Sequence, residues 1–111
     1  MGVVVVVPGQ AEPWKVSNAA YRLFETEVRA VAPSPADALF MTVAVANHGL
    51  FLNAFQPLER GRIAGLIGLA ARGLRRRLLD AQEPSERDRE LAAYLSVLEM
   101  WVDGLAPAAD N

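Results

Sequence analysis

The sequence predicts an all-α fold, a small antiparallel bundle of about four helices that carries an extended, valine-rich N-terminal segment. Three observations lead there. Apolar residues recur at helical spacing in four successive stretches, each stretch opens on a proline or a serine cap, and the connections between stretches are short. With 111 residues, 52% of them hydrophobic and 22% charged, the chain has the size of one domain and enough apolar content to offset the entropy of ordering it. The helical domain is expected over residues 13–106, preceded by the extended segment 1–12 and followed by a tail at 107–111.

The first helix is expected from Pro13 to about Val31, with Val16, Ala20, Leu23, Phe24, Val28 and Val31 on one face. Glu27 falls on that apolar side, where a carboxylate needs either water at the rim or an inward partner. Pro33 ends this helix. Ser34-Pro35-Ala36-Asp37 then starts a second, Pro35 to Phe55, with the serine as N-cap, the proline at the first helical position and the acid near the positive helix end. That helix is apolar nearly all round, as a helix surrounded by others would be, and a break is expected near Asn47-His48-Gly49. Pro57 permits a third helix to Asp80, striped by Ile63, Leu66, Ile67, Ala70, Leu74 and Leu78. Ser85-Glu86-Arg87-Asp88 caps a fourth, whose face of Leu91, Tyr94, Leu95, Leu98, Trp101, Val102 and Leu105 continues to about Gly104, before Pro107.

Composition excludes several functions. Eleven basic against thirteen acidic residues leave a formal charge of -2, too balanced for a surface built wholly to hold nucleic acid or anionic lipid. The absence of cysteine removes disulfides, thiolate nucleophiles and cysteine-type zinc clusters, and fits a reducing, cytoplasmic setting. No positive n-region precedes the valines, so no export signal is expected. The uncharged stretch Ala38 to Leu58 is long enough to span a bilayer, but Thr42, Asn47, His48, Asn53 and Gln56 would put polar groups in hydrocarbon, so no membrane span is expected. His48 is the sole histidine and no Gly-x-Ser-x-Gly turn is present, which leaves a catalytic triad or a histidine metal site without parts. No catalytic residue, metal or cofactor is therefore expected, and the chain reads as a non-enzymatic protein that works by binding a macromolecule.

Three features bear on what it binds. Gly61, Gly65 and Gly68 lie on one side of the third helix, where each costs about 1 kcal/mol relative to alanine. They admit a close backbone approach, by a helix of the same bundle or by a partner's helix. Arg72, Arg75, Arg76 and Arg77 cluster at the helix C-terminus, where they complement its dipole or, alternatively, form a phosphate-binding patch for nucleic acid. Val3 to Val7 has strong β propensity without an evident partner strand. It reads as a tail, as a segment packed over the bundle, or as a strand pairing with its copy in a homodimer or with a partner's edge.

Tyr21-Arg22-Leu23-Phe24-Glu25, Asn47-His48-Gly49-Leu50-Phe51, Leu58 to Leu66 and Leu91 to Leu105, closing on Asp103-Gly104-Leu105, follow one another in an order that resembles the alphaproteobacterial flagellar biosynthesis regulator FlaF family. The likeness spans roughly residues 20–105 and rests on the shared order and spacing of short helical patterns. It implies a cytoplasmic, helical, non-enzymatic regulator that binds flagellin and promotes its synthesis and export. On that reading Tyr21, Leu23, Phe24, Asn47, Leu50, Phe51, Gly61, Gly65, Gly68 and Trp101 are the partner-binding positions, with an amphipathic flagellin helix lying on a glycine-flattened surface.

Overall fold

The valine run is a strand with a partner on each side. In the computed structural model, which describes residues 2–105, β1 (Gly2–Val6) pairs antiparallel with β2 (Trp14–Ser17), placing Val5 opposite Trp14 and Gly2 opposite Ser17. It also pairs in parallel with β3 (Gly49–Phe51), Val4 opposite Gly49 and Val6 opposite Phe51, so the sheet order is β2-β1-β3. Pro8-Gly9 makes the turn after β1: Gly9 sits at φ +89°, and the Gln10 N–H donates to the Val7 carbonyl at 3.1 Å. Alternation does the rest, since Val3, Val5 and Val7 point into the core while Val4 and Val6 stay half-buried on the other face.

This corrects the all-α expectation to four helices packed with a three-stranded mixed sheet. Nor is the segment 1–12 an appendage, because its valines are core residues and both hydrogen-bonding edges of β1 are used within the chain. The ladder on which a homodimer through this segment would depend is thereby occupied. The partner strands carry no sequence signal of their own: Trp14-Lys15-Val16-Ser17 and Gly49-Leu50-Phe51 are too short to show alternation, and Val16 fits the spacing of the helix that follows.

Helix α1 (Asn18–Val31) begins after Ser17, whose Oγ accepts from the Ala20 N–H at 3.2 Å, and not at Pro13. Its buried face is Tyr21, Phe24, Glu27 and Val28, so the helix is rotated from the expected stripe and Leu23 stands 50% exposed. The second helix is also corrected. Pro35–Ala38 forms a 3-10 turn, α2 runs only from Leu39 to Ala46, and the chain leaves the helix at Asn47-His48 with His48 at φ +59°. Gly49 then enters β3, where a Cβ would lie 2.9 Å from the Phe51 ring and from Val4 Cγ2. Leu52–Ala54 closes the region as a second 3-10 turn, its carbonyls and that of Phe55 partly held by Arg60. Far from being surrounded, α2 buries only Met41 and Ala44 and leaves Leu39 and Val43 each 56% exposed.

Helices α3 (Pro57–Leu79) and α4 (Glu86–Asp103) form the antiparallel hairpin the sequence predicts. Ser85 and Asp88 complete a reciprocal capping box at the start of α4. Ile63, Ile67, Ala70 and Leu74 of α3 meet Leu95, Leu98 and Val102 of α4 in the core, and α1 lies across α3. Among the described residues no helix is long and apolar enough to cross a membrane. The tail 107–111 lies outside the described residues.

Candidate protein-binding groove

Helix α4 carries more apolar surface than the core uses. Leu95, Leu98 and Val102 are buried, whereas Leu91, Tyr94, Val97 and Trp101 lie on a neighbouring face and reach solvent to different degrees. Those four span roughly 15 Å at 1.5 Å per residue. Beside them runs an open groove of about 740 Å³ between the end of β2, the first turns of α1 and the first half of α4. Val16, Ala20, Leu23, Leu91 and Tyr94 supply its apolar lining, and Lys15, Arg87, Asp88 and Glu90 bring charge to it. Leu23 and Tyr94, 50% and 47% exposed, are large side chains left in water beside it.

A second cleft, of about 420 Å³, continues along α4 and is lined by Pro13, Trp14, Tyr94, Val97 and Trp101 together with Glu12 and Lys15. Lys15 and Tyr94 line both spaces and so mark where they meet. The floor is fixed from within. Trp14 packs against Phe24 with ring centroids 5.8 Å apart, and its Nε1–H donates to the Tyr94 carbonyl at 2.7 Å, which ties β2 to α4.

The structure disperses the residues expected to bind a partner. Leu23 lines the groove and Trp101 the cleft, while Tyr21, Phe24 and Leu50 are core residues closed to any partner. Tyr21 donates its hydroxyl to the Met41 carbonyl at 3.1 Å; burial, and then the charge of Glu25, push its phenol pKa well up, so it stays neutral. Asn47 and Phe51 are exposed, but Asn47 lies just before β3 and Phe51 at its end, at the opposite edge of the sheet from the groove. Gly61 is buried, a Cβ on Gly68 would touch Val102 Cγ2 of α4 at 3.6 Å, and Gly65 has open space around it. Of the three, Gly68 thus faces the α3–α4 crossing and Gly61 is closed off, while Gly65 alone keeps an open surface, so the stripe does not form the continuous flat outer surface expected of it. Val16, Ala20, Leu91 and Tyr94 belong to the apolar stripes expected to form the core, not to the expected partner-binding positions. For Leu91 and Tyr94 the signal is the width of the α4 stripe, which holds two faces where one suffices for a core; Val16 and Ala20, on β2 and α1, carry no such signal.

The arginine cluster is largely spent on the protein itself. Arg72 and Arg75 both donate to the Glu99 carboxylate, at 3.1 Å each, and Arg77 pairs with Glu27. Burial pushes the Glu99 carboxyl up, but the hydrogen bonds and charges of Arg72 and Arg75 outweigh it and hold the group below its ordinary range. Arg76 alone makes no ion pair among the described residues. Exposed His48 stands in a left-handed turn, and among the described residues no three His, Cys, Asp or Glu side chains gather as metal ligands. Compared with models of protein families, with curated proteins and with solved structures, the chain matches none.

Proposed function

We propose that this chain is a non-enzymatic binding protein whose groove between α1, β2 and α4 takes an amphipathic helix of a protein partner. The observation that carries the reading is the pair Leu23 and Tyr94, half exposed beside an apolar-lined groove instead of closed into the core. An incoming helix with large residues at i, i+3 and i+7 would bury them, while Lys15, Arg87 and Glu90 would meet its polar flanks. On the resemblance to the flagellar regulators, flagellin is the partner, and the chain acts by shielding an apolar flagellin helix and so promoting flagellin synthesis and secretion. The alternative of nucleic-acid binding through Arg72, Arg75, Arg76 and Arg77 loses support, because three of the four guanidinium groups already face carboxylates.

Calorimetric titration of purified flagellin into the protein tests this. Saturable binding that persists from low to moderate salt and falls at least tenfold in Leu23→Asp and Tyr94→Asp is expected. Absence of binding would remove flagellin as the partner. Binding that survives both substitutions would remove the groove, and recovery of RNA released by salt would restore the arginine patch.

A further inference from the structure

Tyr94 and Trp101 present their rings to the second cleft, beside Pro13 and Val97, over a floor formed by the buried Trp14. We infer that this cleft is a docking site for a proline-rich segment in the polyproline II conformation. Such segments lack internal hydrogen bonds, expose their carbonyls, and are recognised by aromatic side chains that pack on the proline rings while an N–H or O–H donates to the backbone. The cleft has these parts. Tyr94 and Trp101 stand seven residues apart on one face of α4, roughly 10.5 Å along the axis, close to the ~9.3 Å rise of one polyproline II turn.

The donors are equally disposed. Trp14 Nε1 is committed to the Tyr94 carbonyl, whereas Trp101 Nε1 makes no hydrogen bond among the described residues. No buried side-chain nitrogen or oxygen in them is left unpartnered, so the Trp101 N–H of this half-buried residue reaches solvent and can donate to a carbonyl of the segment. Charge gives the occupant a polarity. Lys15 lies at the junction with the larger groove, while Glu12 lines the cleft alone, and neither forms an ion pair among the described residues. The matching segment carries a basic residue at the Glu12 end and an acidic one at the Lys15 end. The inference does not depend on flagellin being the partner of the groove.

The probe is a synthetic peptide of five prolines flanked by one arginine and one glutamate, titrated into the full chain by calorimetry. Its control has glycine and serine in place of the prolines. Saturable binding of the proline peptide alone is expected, weakened severalfold in Trp101→Phe, which keeps a ring and loses the N–H, and abolished in Trp101→Ala. Glu12→Lys should weaken it severalfold as well. Because Trp101 also packs against the core, the half-exposed Tyr94→Ala serves as a second variant that leaves the fold in place, checked by circular dichroism. No saturation at millimolar peptide, equal binding of the glycine-serine control, or unchanged binding in both Trp101→Ala and Tyr94→Ala would overturn the proposal.

Discussion

Glu27 sits on the inner face of α1 at 8% exposure, against a position of α3 where a side chain would obstruct it: a Cβ on Gly73 would lie 2.8 Å from its Oε2. Its partner Arg77 is in a different situation, with 66% of its side chain in water. Removing one member of this pair is therefore not equivalent to removing the other. Arg77→Ala strands a buried carboxylate and should cost about 1–3 kcal/mol, whereas Glu27→Gln returns an already wet guanidinium to solvent and should cost less. Urea unfolding of both single variants and the double variant checks this, and the double should recover part of the Arg77→Ala loss. The same contact predicts that Gly73→Ala will not yield the roughly 1 kcal/mol that alanine ordinarily gains over glycine in a helix.

Among the elements, the α3–α4 hairpin is held by apolar packing and, at its surface, by Glu99 between Arg72 and Arg75. Since Glu99 has its carboxyl pKa lowered in the folded state, the ion-pair contribution is present above the ordinary carboxylate range and is lost as pH falls through the lower, folded value. Acid unfolding of Glu99→Gln should accordingly show a shallower loss of stability in that window than the parent. At the start of α4, Ser85→Ala breaks the capping box and should cost about 1 kcal/mol, read as a lowered urea midpoint with unchanged slope. This hairpin was also the part of the fold most legible in the sequence, because proline, serine caps and a sustained stripe all agree over Pro57 to Asp103. Elsewhere local signals fell short: the break expected near Asn47-His48-Gly49 is where α2 ends and His48 turns left-handed, but the helix does not resume, because Gly49 closes on Val4 and enters β3, a contact with a distant part of the chain that no local pattern contains. The candidate groove was half legible for a related reason. Leu23, among the expected partner-binding positions, does line it, but Val16 and Tyr94 become its walls only once β2 is laid beside α4.

For the whole molecule, the central position of β1 makes the valine segment indispensable. Deleting residues 2–7 would leave β2 and β3 without a common neighbour and open the core where Val3, Val5 and Val7 sit, so cooperative thermal unfolding should disappear. A milder change, Val5→Ala, should cost about 2 kcal/mol and lower the melting temperature while leaving the transition cooperative. Parallel pairing between Val5 and Leu50 also bears on how the chain is made. During translation the valines emerge first, and the hairpin with Trp14–Ser17 can cover one side of them early, but the other side must wait until Gly49–Phe51 has left the ribosome. For that interval a run of five valines offers an open, uncharged template to any neighbouring nascent chain, so slow elongation across the intervening residues should raise the yield of aggregated protein at the expense of folded protein.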